Sequence, residues 1–71
     1  MVDFETVEAV RSALDLRFSD DPRVNGVGIG RGDGGPVVRV HLVSDEDRPD
    51  IEPEIDGVPI QQVLIGRVVA L

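Results

Sequence analysis

Hydrophobic residues recur at three- and four-residue steps near the start of the chain. Between residues 3 and 18 these positions form one stripe, which predicts an amphipathic helix. Asp3 has a side chain that favours the N-cap of such a helix, and Pro22 disfavours helical backbone in the residue before it. The stripe consists of Phe4, Val7, Val10, Leu14 and Phe18.

The spacing changes to alternation after Pro22, which predicts strands over residues 23–31, 36–43 and 58–65. A bend at Gly66 and a short last strand over 67–70 follow. The RGDGG stretch between the first two strands predicts a hairpin, because glycine adopts the positive φ that tight turns require. The order of elements predicts a single α+β domain over residues 1–71, with one N-terminal helix on a small, mainly antiparallel sheet of three to four strands.

The segment over residues 44–57, SDEDRPDIEPEIDG, predicts an acidic, solvated loop that contains two prolines. Ile51 and Ile55 are the residues in it that can anchor the loop to the core. Clustered carboxylates also allow a calcium site, but the spacing lacks the mid-loop glycine and the final glutamate of an EF-hand. The predicted carboxylate cluster is Asp45, Glu46, Asp47, Asp50, Glu52, Glu54 and Asp56.

Composition narrows the function classes. The chain has 71 residues, a net charge of −7 and no cysteine, and all seven of its basic residues are arginine. An acidic chain is repelled by nucleic acid and by anionic membranes, and the absence of cysteine excludes disulfides and thiolate metal sites. Abundant aspartate without lysine is typical of a salt-adapted protein, whose charged surface keeps it soluble, and alternatively of a GC-rich genome that favours arginine codons. The acidic N-terminus does not resemble a signal peptide, so we expect a cytoplasmic location.

The candidate catalytic and binding motifs lack the neighbouring residues and elements that their functions require. Gly30 to Gly35 match G-x-G-x-x-G, but a proline and a strand follow where a phosphate-binding helix would have to begin. The Arg31-Gly32-Asp33 tripeptide is the motif that integrins recognise on extracellular ligands, but so short a motif often arises by chance. His41, the only histidine, lies on the polar side of a predicted strand with no serine or second ligand beside it. We therefore expect neither an enzyme nor a cofactor or metal protein.

The first strand raises a question of its own. Val27 and Ile29 share one face of it, and three glycines occupy the other. Glycine in a strand interior costs backbone entropy and often marks a close approach by other backbone. We expect close packing of the helix on this face, with a binding surface as the alternative. The glycines are Gly26, Gly28 and Gly30.

Four segments carry a resemblance to a known family. They are residues 24–30, VNGVGIG, residues 38–43, VRVHLV, residues 51–60, IEPEIDGVPI, and residues 66–71, GRVVAL, which occur in this order after a helix. They resemble a small bacterial and archaeal domain that precedes trypsin-like serine peptidase domains or is free-standing. The chain departs from that pattern at Ile60, Gln61 and Gln62. The resemblance implies an accessory module without catalytic residues of its own.

These observations predict a non-catalytic module that acts by protein–protein contact, as a homo-oligomer or with another protein. A thin aliphatic core makes self-association a plausible source of stability, and exposed strands can pair with another chain. The alternatives are a regulator or folding partner of a separate trypsin-like peptidase, and a protein that binds a small ligand or calcium. The candidate interaction residues are Gly26, Gly28, Gly30, Arg67, Val69 and Leu71.

Overall fold

The computed structural model describes residues 3–65, and it confirms the predicted fold class. One helix, α1 (Phe4–Arg17), packs on a four-stranded sheet. Its strands are β1 (Val24–Gly32), β2 (Gly35–Leu42), β3 (Glu54–Ile55) and β4 (Val58–Leu64). The predicted strand over 67–70 lies outside the described residues.

The helix begins where its capping chemistry predicts. The Asp3 carboxylate accepts a hydrogen bond from the Thr6 amide at 2.9 Å and another from the Thr6 hydroxyl at 2.6 Å. These two bonds lower the pKa of Asp3, because both stabilise its charged form. The helix ends at Phe18, whose amide donates to the Leu14 carbonyl oxygen at 3.0 Å.

The sheet has the order β1-β2-β4-β3 and is mixed. β1 and β2 form the predicted antiparallel hairpin, and β3 and β4 form a second one. β2 and β4 run parallel, with Val38 beside Ile60 and Leu42 beside Leu64. Parallel neighbours need a long crossover, and residues 43–57 provide it.

The predicted acidic loop contains a strand that the sequence did not reveal. β3 pairs with the first residues of β4 through Asp56 and Gly57, whose φ angles are 52° and 81°. Positive φ at both central residues is what a type I′ hairpin turn requires, and the Asp-Gly sequence favours it. Ile51 and Ile55 pack against the core as predicted. Only part of the segment is therefore an irregular loop.

The core lies between α1 and one face of the sheet. On the helix, four of the five residues of the predicted stripe are buried, but Phe4 is 66% exposed. That part of the prediction was wrong, because Phe4 stands at the first turn, where it lines an open groove beside the β1–β2 hairpin tip instead of packing into the core. The core cluster comprises Val7, Val10, Leu14, Phe18, Val38, Val40, Leu42 and Val58.

One polar atom on the covered face lacks a partner. Gln62 lies in β4 beside Val40, and its buried Oε1 accepts no hydrogen bond from residues 3–65. A buried acceptor without a donor costs about 1–3 kcal/mol. We expect Gln62→Leu to raise the free energy of unfolding by about 1 kcal/mol in urea denaturation. The control is Gln61→Leu, an exposed neighbour on the other face, which should give no gain; a loss of stability in Gln62→Leu would contradict this account.

The segment between α1 and β1 is closed by an ion pair. Asp21 accepts hydrogen bonds from the Arg23 amide at 2.9 Å and from Nη2 of the Arg23 guanidinium at 2.7 Å. The guanidinium, and then the amide, lower the pKa of Asp21 from 3.8 to about 2. A carboxylate with a depressed folded pKa stabilises the fold above its unfolded pKa, and this contribution is lost as the pH falls through the folded value.

The pH dependence of stability should therefore change in Asp21→Asn. We expect the wild-type free energy of unfolding to fall between about pH 4 and pH 2, and to fall less steeply in the variant. Urea denaturation across this pH range measures both slopes. Asp20→Asn is the control, since Asp20 is exposed and forms no ion pair within the described segment. Equal slopes in Asp21→Asn and wild type would refute the assignment.

Candidate functional site

The three glycines of β1 do not face the helix. A Cβ built at Gly28 would meet only Cε1 of His41, at 3.8 Å, and one built at Gly26 would meet nothing within 4 Å. The expectation that α1 packs closely on these glycines was wrong. The helix covers the opposite face because Val27, Val38 and Val40 offer the aliphatic area there. We call the glycine side the open face; it also includes Arg39, His41, Gln61, Val63 and the buried Val37.

Arg39 organises the open face. Its guanidinium lies on Gly30, where a Cβ would come within 2.6 Å of Cζ. Nη2 donates to the carbonyl oxygen of Arg31 at 3.0 Å, and Nε donates to Oε1 of Gln61 at 3.2 Å. One side chain thus connects three strands, and a glycine at position 30 makes room for it. This role of Arg39 was not predicted from the sequence. A glycine in one strand and an arginine in the neighbouring strand were the available signal that a long side chain lies over the glycine.

The outer edge of β1 pairs with no strand among residues 3–65. Pro36 has no N–H, so its cross-strand pair with Arg31 cannot be of the hydrogen-bonded type. Because the two types of pair alternate along an antiparallel ladder, Val27 and Ile29 also occupy non-hydrogen-bonded pairs. Their N–H and C=O groups therefore point away from β2. Within residues 3–65, the donors and acceptors of Val27 and Ile29 meet no other strand, whereas the carbonyl oxygen of Arg31 accepts from Arg39.

Apolar side chains accompany this edge on the helix side. Ile29 is 36% exposed, and Phe4 lies near it beside the hairpin tip. Together with Pro36 and the backbone of residues 30–35 they line a groove of about 680 Å³. A second groove, of about 440 Å³, lies between the hairpin tip and the Asp56-Gly57 turn. His41 lines neither groove, so these grooves contain no histidine that could act as a general base.

Three of the seven carboxylates of the acidic segment, Asp45, Asp47 and Glu52, form ion pairs with arginines. Glu52 accepts from Arg17 at 2.9 Å, and this contact lowers the pKa of Glu52. Arg48 pairs with Asp45. Within residues 3–65, no group of three or more acidic or histidine side chains is placed to hold a metal ion. The geometry therefore gives the calcium alternative no specific support.

Comparison with known proteins gives no family assignment. No family model matches the sequence, and no curated protein or solved structure gives a significant match. The candidate site thus depends on its own geometry.

The candidate interaction residues fall into two groups. Gly26, Gly28 and Gly30 lie together along β1, on the open face and beside the unpaired edge. The other three, Arg67, Val69 and Leu71, lie outside the described residues. The sequence analysis also missed Phe4 and Ile29 as exposed neighbours of the edge. No helix among residues 3–65 is long and apolar enough to cross a membrane.

Proposed function

We propose that this chain is a cytoplasmic, non-catalytic protein–protein interaction module that binds a partner strand along the outer edge of β1. The backbone of Val27 and Ile29, which pairs with no outer strand in the described part of the chain, supports this most directly, because added strands bind chiefly through main-chain hydrogen bonds. Natural proteins normally protect such edges with charges, prolines or bulges. β1 carries one charged residue, Arg31, and one irregularity between Val24 and Gly26, so its centre from Gly26 to Gly30 contains no charge, proline or bulge.

The two faces of β1 explain what a partner strand would meet. On the helix side, Ile29 and Phe4 provide apolar contact for every second residue of the added strand. On the open face, Gly26 and Gly28 leave space for larger side chains of the partner. The site therefore favours an extended segment that is apolar on at least one side. Its partner is a protein chain, either a second copy or a different one.

Light scattering and affinity capture together test the proposal. We expect the molar mass to rise with protein concentration in the micromolar range, or a tagged chain to retain a specific protein. A trypsin-like peptidase, which the resemblance implies as a partner, would be recognised in the captured fraction. A strict monomer that retains no protein would overturn the proposed function. A substitution of Ile29 that blocks the edge should prevent capture of this partner. A substitution of the exposed Leu16, away from the edge, should not.

A further inference from the structure

The order of residues along the outer edge of β1 is nearly the same in both directions. Read outward from Gly28, the flanking residues are Val27 and Ile29, then Gly26 and Gly30. Two antiparallel copies related by a twofold axis at Gly28 would therefore place valine opposite isoleucine and glycine opposite glycine. An interface between identical chains with twofold symmetry must be self-complementary in this way.

We infer that the strand added to β1 is β1 of a second copy, paired antiparallel about a twofold axis at Gly28. This inference rests on the proposed function and names its partner. The backbone N–H and C=O groups of Val27 and Ile29 point outward. Val27 of one copy and Ile29 of the other copy would therefore exchange two hydrogen bonds. Twofold symmetry repeats the pair and gives four hydrogen bonds at the centre of the interface.

Side chains on both faces fit this register. On the helix side, Val27 contacts Ile29 of the other copy twice, and pairs of β-branched residues stabilise neighbouring strands. On the open face, glycines meet glycines, and the side chain that stands beside them is the flexible Arg39, whose guanidinium lies over Gly30. The result is a continuous sheet of eight strands, twice the four of one chain, with one helix of each copy on the same face.

Charges also favour this register over those displaced toward the hairpin tip. Arg31 is the only charged residue of β1, and in this register it lies opposite Asn25 of the other copy. The two copies of Arg31 are then six residues apart along the ladder, about 20 Å. Moving the axis toward the hairpin tip brings these arginines together. The centre at Gly28 keeps like charges apart while it aligns the two aliphatic positions.

Single cysteines test the register, because the natural chain contains none. Across an axis at Gly28, the two Cα atoms of Gly28→Cys would be about 4.5 Å apart, within disulfide reach. The structure has room for this side chain, since a Cβ at Gly28 makes only an ordinary contact with His41. Gly26→Cys is the matched control: it has the same substitution on the same face, but its two copies would be about 14 Å apart.

Under mild oxidation at micromolar concentration we expect Gly28→Cys to form a linked dimer at least tenfold faster than Gly26→Cys. An equimolar mixture of Gly26→Cys and Gly30→Cys should form a mixed dimer, because position 26 faces position 30 of the other copy and a cysteine at position 30 displaces only the flexible end of the Arg39 side chain. This second measurement stands if Gly28→Cys fails to fold. A wild-type dimer by light scattering without either cross-link would overturn this register and leave the proposed function intact. A monomer that captures no partner and forms no cross-link would overturn both.

Discussion

Leu14→Ala should cost about 2–4 kcal/mol of folding free energy, the range for removing a buried leucine side chain. Leu14 is 2% exposed and belongs to the cluster between α1 and the covered face of the sheet. A domain of this length has about 4–10 kcal/mol of stability, if each residue contributes about 0.05–0.15 kcal/mol. The substitution would therefore remove a large fraction of the total folding free energy, and a fraction of the molecules would be unfolded at 37 °C.

Leu16 provides the matched control for this variant. It has the same side chain on the same helix, two residues away, but is 78% exposed. Leu16→Ala should change stability by no more than about 0.5 kcal/mol. The chain has neither Trp nor Tyr, so urea denaturation is best followed by far-ultraviolet circular dichroism in dilute solution. Equal losses in the two variants would mean that α1 does not present its Leu14 side to the sheet.

Ile29→Lys should weaken self-association at least tenfold while leaving the fold intact. The substitution removes the apolar contact with Val27 of the other copy, and the symmetry removes it twice. Cross-strand pairs contribute about 0.2–1 kcal/mol each, and about 1.4 kcal/mol corresponds to a factor of ten in affinity. A lysine on an exposed edge also opposes strand addition, as it does in natural sheets.

Sedimentation equilibrium would measure the effect on the dissociation constant. Leu16→Lys is the control, because it introduces the same charge at an exposed leucine away from the edge. In wild type, association should strengthen when salt rises from 0.1 M to 1 M, where the screening length falls from about 10 Å to about 3 Å. The reason is that each copy carries a net charge of −7. If the Ile29→Lys variant self-associates with the same dissociation constant as the Leu16→Lys variant, β1 does not form the interface.

Local patterns were enough to predict most elements of the fold. The three- and four-residue spacing gave the helix, and Asp3 gave its start, because a cap acts within one turn. The alternation of apolar and polar residues predicted β1, β2 and β4. The glycine-rich stretch predicted the first hairpin turn, where Gly35 has a φ of 128°. Each of these signals depends on residues that are close together in sequence.

The missed features depend on residues that are far apart in sequence. The parallel pairing of β2 with β4 follows from the path of the crossover, which no local period encodes. β3 has two residues, too few for alternation to show, and exists because the Asp56-Gly57 turn folds it onto β4. Phe4 fits the spacing of the helix stripe, yet at that turn an open groove lies beside the helix and leaves Phe4 exposed.

The candidate site was predicted in part. The sequence placed Val27 and Ile29 on one face and the glycines on the other, and this division is confirmed. It did not show which face the helix covers, although the buried face must include Val38, Val40 and Leu42 and therefore Val27 beside them. The bond from Arg39 to the carbonyl oxygen of Arg31 could not be predicted, since a long side chain can extend in several directions.

Amide hydrogen exchange along β1 tests the central claim, an edge available for pairing, most directly. In dilute solution we expect the outward amides of Val27 and Ile29 to exchange rapidly, while the inward amides of Gly28 and Gly30 are protected by β2. As protein concentration and salt rise, protection should extend to Val27 and Ile29. If these two amides are as protected as those of Gly28 and Gly30 at the highest dilution, the edge is already covered and the account is wrong.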